Sequence, residues 1–164
     1  MQKRILVVTQ HFWPENFRIN DIVEGFVQDG LSVDVLCGLP NYPKGEWFDG
    51  YSADGPFEET YKGARVFRAR EIPRKGNTGK TIFLNYVSWP LYAARALHRL
   101  PGGYDAVFCF NTSPVLMCWP AIKYAKKHHV PFTNYVLDLW PENLYSVLPG
   151  RNRFLRWVAQ TVSD

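Results

Sequence analysis

Five short strand-like runs, several of them separated by helical patterns, constrain this chain of 164 residues more than any other feature. The runs are Ile5 to Val8, Val33 to Leu36, Ala64 to Ala69, Ala106 to Phe110 and Phe132 to Leu137. Each is too short for a buried helix, so each reads as a strand. Between them, residues Asn20 to Asp29 place Ile22, Val23, Phe26 and Val27 on one helical face, with Gly30 positioned as a C-cap. A second helical pattern spans Lys80 to Leu100 and stops at Pro101-Gly102-Gly103. A third covers about Val115 to His128, after Asn111-Thr112-Ser113-Pro114, where a hydroxyl can cap and proline can take the first turn. Strands that alternate with helices predict a mostly parallel sheet covered on its faces, and the length is that of one domain.

The ends of the strands are unusual. After Ile5 to Val8 comes Gln10-His11-Phe12-Trp13-Pro14-Glu15-Asn16-Phe17-Arg18-Ile19-Asn20-Asp21, and after Val33 to Leu36 comes Gly38-Leu39-Pro40-Asn41-Tyr42-Pro43. The last run closes as Val136-Leu137-Asp138-Leu139-Trp140-Pro141-Glu142. Small turn formers close a strand at lower cost than Trp-Pro-Glu does. Open parallel sheets bind ligands beyond the carboxyl ends of their strands, so these three loops are where specificity is expected to collect. Asp138 has two readings at this stage, a cap for the following segment or a reactive carboxylate. From 38 to 64 the chain is an irregular insert rich in Pro and Gly, and its aromatics, Tyr42, Trp47, Phe48, Tyr51, Phe57 and Tyr61, predict that it folds over the sheet edge.

The charged fraction of 21% with 46% hydrophobic residues is that of a globular chain, not a disordered one. Cys37, Cys109 and Cys118 are odd in number and lack metal spacing, which predicts free thiols and a reducing compartment. Met1 to Val8 is too short for a secretory core, and no run approaches the ~18 apolar residues of a membrane span, so the expected location is the cytoplasm or its membrane face. The net charge of +4 is concentrated around Arg65 to Lys80 and in a basic amphipathic tail, 151–164, with Arg151, Arg153 and Arg156 beside Phe154 and Trp157. The segment Thr81 to Tyr92 is apolar nearly all round and contains Pro90. Arg74, Lys75, Lys80 and Trp89 are the candidate contacts to an anionic membrane surface, whereas Phe83, Leu84, Val87 and Leu91 are expected to face the sheet.

The three strand-end motifs taken together resemble the N-terminal domain of family 4 glycosyltransferases of the GT-B fold, in the branch that builds bacterial surface polysaccharides and includes N-acetylfucosamine-type transferases. The similarity runs from Ile5 to about Glu142. It implies a Rossmann-like, doubly wound domain over 1–150, and a function in passing a sugar from a nucleotide-sugar donor to a polyprenyl-diphosphate-linked acceptor. Many members carry Gly-Gly in the first loop; here Glu15-Asn16 and Phe17-Arg18 stand there, so side chains would have to replace backbone contacts to a phosphate. The family's donor sugar nucleotide is held mainly by a second domain, for which 164 residues leave no room, and the chain is expected to act as the acceptor-side half.

On this resemblance Asp138 is the first candidate for the general base that takes the proton of the attacking hydroxyl, and Glu15 the second. Asn16, Arg18, Asn41 and Glu142 are candidates for polar contacts, and Tyr42 and Trp140 for packing against a sugar ring. No cofactor is expected beyond the nucleotide-sugar co-substrate, and no metal: His128-His129 reads as a solvated pair at a helix end. The expected partners are the lipid-linked acceptor, the donor, the membrane and a donor-domain subunit. The alternative is a non-catalytic module, either a truncated product or the membrane-recruiting subunit of a split transferase. A nicotinamide dehydrogenase is disfavoured by the lack of G-x-G-x-x-G after the first strand, and a hydrolase by the lack of G-x-S-x-G. Nucleic acid is disfavoured because the basic residues follow no recognised reader pattern.

Overall fold

The computed structural model describes residues 2–112 and 114–137. In chain order the elements are β1 (Arg4–Val8), α1 (Ile19–Gln28), β2 (Ser32–Gly38), β3 (Glu58–Tyr61), β4 (Ala64–Ala69), α2 (Gly79–Ala96), β5 (Ala106–Asn111), α3 (Trp119–His128) and β6 (Phe132–Val136). They form one six-stranded sheet ordered β3-β4-β2-β1-β5-β6. Every neighbouring pair is parallel except β3 with β4. The chain winds outward from central β1 through β2 to β4, then crosses back to β5 and β6. Strand order therefore reverses between β1 and β5, the switch point at which open α/β sheets place their ligands.

Helices cover both faces, giving the Rossmann-like α/β domain expected. On one face Ile19 and Val23 of α1 pack with Val7, Val35, Val66 and Phe110. On the other, Trp89, Ala93 and Ala96 of α2 and Ala121 and Tyr124 of α3 pack with Leu6, Val8, Leu36 and Cys109. Central strands buried on both sides need apolar residues at every position, which is why Ile5 to Val8 reads as an unbroken run. Asp34 is the exception in β2: its buried carboxylate takes Arg65 Nε and Nη2 at 2.8 and 2.7 Å and the Tyr104 hydroxyl at 2.6 Å. Cys37, Cys109 and Cys118 are buried and free.

The structure corrects two readings. The insert 38–64 is not irregular throughout, because β2 continues to Gly38 and Glu58 to Tyr61 forms β3, a hairpin partner of β4. Lys62 and Gly63 both adopt positive φ, 46° and 91°, at the two-residue turn, as hairpin twist requires. What fastens the insert is Arg68, whose fully buried guanidinium bonds Glu59 and the Trp13 carbonyl, donates to the Gly38 carbonyl at 2.8 Å and lies 4.9 Å from the Tyr51 ring centre. Burial, with the Glu59 hydrogen bond adding to it and Arg68 opposing, pushes the Tyr51 phenol up to about 12.

The second correction concerns α2. Its sheet-facing side carries Asn85, Ser88, Trp89, Ala93 and Ala96, whereas Phe83 is 65% exposed and Leu91 44%. Of the four residues expected to be core, Phe83 and Leu91 are therefore exposed, while Leu84 and Val87 are half-buried. Trp89 is 0% exposed, so it is no membrane contact. Small residues along the inner face let the helix lie close to the sheet, and a Thr78–Thr81 capping box starts it.

Candidate functional site

The loops that leave β1, β2 and β4 converge at the carboxyl edge of the sheet, under the first half of α2. Glu15, only 2% exposed, is their clamp. Its Oε1 accepts the backbone N–H groups of Asn41 and Tyr42, each at 2.7 Å, while Oε2 lies 2.7 Å from His11 Nδ1. A carboxylate there makes His11 carry its proton on Nδ1, leaving Nε2 as an acceptor, and Nε2 faces Arg74 Nη2 at 3.4 Å. The His11 ring stacks on Phe17 with centroids 4.8 Å apart.

Beside this clamp lies a second buried carboxyl. Glu71 follows β4 and receives three carboxamides: Gln10 Nε2 at 2.6 Å, Asn85 Nδ2 at 3.2 Å, and Asn41 Nδ2. Each donor comes from a different element, so Glu71 ties the β1, β2 and β4 loops to α2. Burial pushes its pKa up from 4.5 to about 8; the Gln10 hydrogen bond opposes and Glu15 adds to the rise. The raised value favours the protonated carboxyl at neutral pH. Gln10 Oε1 and Asn41 Oδ1 have no partner among the described residues. Gly38 makes the room: a Cβ there would stand 2.8 Å from Glu71 Oε1 and 2.9 Å from the Gln10 carbonyl.

Arg74 forms the mouth of the site. Its guanidinium lies between the rings of Tyr42 and Tyr86, 5.3 and 5.0 Å from their centroids, and Nε donates to Asn85 Oδ1 at 3.1 Å. It makes no salt bridge among the described residues. A half-buried cation walled by aromatics, with no carboxylate of its own, is suited to an anionic group attached to an apolar or ring-bearing ligand.

The sequence-predicted residues divide accordingly. Tyr42, 38% exposed, lines the mouth, and Asn16 and Arg18 are exposed at the start of α1. Glu15 is not poised as a base, because its oxygens are committed to backbone and His11. Asn41 is 0% exposed and its carboxamide points inward to Glu71 and to the Leu39 carbonyl at 2.9 Å, so it is an internal brace. Arg74 is half-buried against Tyr42, Tyr86 and Asn85, while Lys75 and Lys80 are exposed. Asp138, Trp140, Glu142 and the tail 151–164 lie outside the described residues. His128 stacks on Tyr124 at 4.1 Å, His129 caps α3 in the left-handed conformation, and no group of three or more potential metal ligands occurs among the described residues.

Sequence reasoning missed Gln10, His11, Glu71 and Asn85 as site residues. The available signal was polarity in buried phase: Thr9-Gln10-His11 continues a fully buried strand, and Asn85 is one amide in an otherwise apolar helix turn.

No protein-family model matches the chain, and no curated protein does. Among solved structures, it is similar to the C-terminal domain, residues 78–226, of a hydrogenase from Pyrococcus furiosus. The TM-score is 0.52 at 16% identity, over 80% of this chain and 89% of that one. Similarity at that identity speaks to the fold alone.

Proposed function

We propose that this chain is the acceptor-binding domain of a glycosyltransferase that passes a sugar from a nucleotide-sugar to a polyprenyl-diphosphate-linked glycan in surface-polysaccharide synthesis. The observation that carries the reading is Arg74, a cation with no salt-bridge partner among the described residues, set between two tyrosine rings where the motif loops meet. A diphosphate would bind the guanidinium, with Arg18 and Asn16 within the same loop system, and a sugar ring would pack on Tyr42. Asp138 keeps the general-base role in this reading, since Glu15 is committed to the clamp.

The outer side of α2, with Phe83 and Leu91 exposed and Lys75 and Lys80 at its start, supports a peripheral membrane contact that delivers the lipid-linked acceptor. No helix among the described residues is long and apolar enough to cross a membrane. The commitment of Glu15 also favours a second reading, a binding subunit whose catalytic groups are supplied by a donor-domain partner.

The test is a calorimetric titration of the chain with a short isoprenyl-diphosphate-linked sugar. Charge-assisted hydrogen bonds contribute about 1.5–3 kcal/mol, so Arg74→Ala should weaken binding roughly 10- to 100-fold. Equal affinity of wild type and variant would remove Arg74 from the site.

A further inference from the structure

We propose that Asn111 is a ligand-binding residue whose carboxamide holds two neighbouring hydroxyls of a sugar ring at the switch point between β1 and β5. The inference rests on the acceptor-binding reading and adds the residue that reads the sugar. Asn111 is the last residue of β5 and is 1% exposed. Its main chain is paired, the carbonyl accepting Leu137 N–H at 3.0 Å, but neither Oδ1 nor Nδ2 has a partner among the described residues. A buried polar group left unpaired costs about 1–3 kcal/mol, and here one side chain carries two of them.

Placement makes this more than a packing cost. Strand alternation puts Asn111 on the same face as Val107 and Cys109, which pack beneath α2 and α3 together with Leu6 and Val8 of β1. Val8 is in register with Cys109, and two residues beyond that pair stand Gln10 and Asn111. Gln10 Oε1 is likewise without a partner among the described residues. Just past β1 and at the end of β5 there thus stand two buried carboxamides with capacity unused among the described residues, at the edge where Gln10 joins the Glu71 network. A carboxamide has no net charge and offers one donor side and one acceptor side, so it matches a hydroxyl pair, each hydroxyl both giving and taking a hydrogen bond. The anionic part of the same ligand falls to Arg74.

The test follows the Asn111 side-chain amide resonance of the nitrogen-15-labelled chain during titration with isoprenyl diphosphate, with its sugar-linked counterpart, and with a methyl glycoside alone. The resonance should move with the two sugar-bearing probes and stay with the bare diphosphate. Asn111→Leu should lower affinity for the sugar-linked probe about tenfold, to that of the bare diphosphate, whose binding stays unchanged. Asn111→Asp, which keeps the shape and loses the donor, should do the same and covers the case in which the leucine variant does not fold. Wild-type affinity of either folded variant for the sugar-linked probe would overturn the proposal. So would nuclear Overhauser contacts that tie the free carboxamide to Ser113 or Asp138. If neither diphosphate probe binds, the acceptor reading fails; the Asn111 proposal is then decided by the methyl glycoside, a moving resonance supporting it and a silent one overturning it.

Discussion

Replacing Glu71 with Gln should abolish most of the pH dependence of stability above pH 5. The folded carboxyl titrates near 8 against an ordinary value of 4.5, because burial disfavours its charged form. Between those values the folded state holds one proton that the unfolded state has released. The stability it contributes is therefore complete below about pH 4.5 and is lost as pH rises through 8. Linkage sets the slope at about 1.4 kcal/mol per pH unit, so the loss from pH 5 to pH 8 is roughly 3–4 kcal/mol. A glutamine copies the size and neutrality of the protonated carboxyl and still accepts from Asn85. Urea unfolding at pH 5, 6, 7 and 8 should show wild type weakening relative to Glu71→Gln by about 1 kcal/mol at each step. Parallel profiles for the two proteins would refute a proton on Glu71 and the network built around it.

Glu15→Ala leaves two backbone N–H groups and His11 without their acceptor, which should cost about 3–5 kcal/mol and lower the melting temperature by ~10 °C. A fully stable Glu15→Ala would return that carboxylate to the list of candidate bases. Gly38→Ala forces a Cβ against the Glu71 carboxyl and the Gln10 carbonyl, and should cost about 1–3 kcal/mol in urea unfolding with the fold kept. Phe83→Ser together with Leu91→Ser should reduce sedimentation with anionic vesicles and leave stability within about 1 kcal/mol, since both side chains face outward; undiminished sedimentation would exclude this stripe as the membrane contact.

Strand existence was legible wherever residues are buried on both faces, and Ala64 to Ala69 matches β4 at both ends. β3 was not legible, because Glu58-Glu59-Thr60-Tyr61 has no apolar alternation of its own. It is a strand by virtue of pairing with β4 and of Arg68, whose buried charge needs Glu59. The orientation of α2 was misread for the opposite reason: an almost uniformly apolar helix carries no phase information. Its inner face is chosen by what must be reached, Asn85 to Gln10 and Glu71, and by the small residues that permit close packing. In the candidate site, two of the motifs sit in the loops that follow β1 and β2, but the contacts of their side chains were not legible. Glu15 and Asn41 look like chemistry in a linear sequence, and only the fold reveals that they satisfy one another's loops while Arg74 packs against Tyr42 and Tyr86.

On the proposed function this domain binds the lipid-diphosphate acceptor and not the nucleotide donor. The direct measurement is a competition titration of the chain with an isoprenyl-diphosphate-linked sugar and with a set of nucleotide-sugars, following Tyr42 and Arg74 by nuclear magnetic resonance. The acceptor should bind with shifts at both residues, and the nucleotide-sugars should neither bind there nor displace it. A nucleotide-sugar that occupies the crevice while the acceptor does not would contradict the account and make this a nucleotide-binding domain.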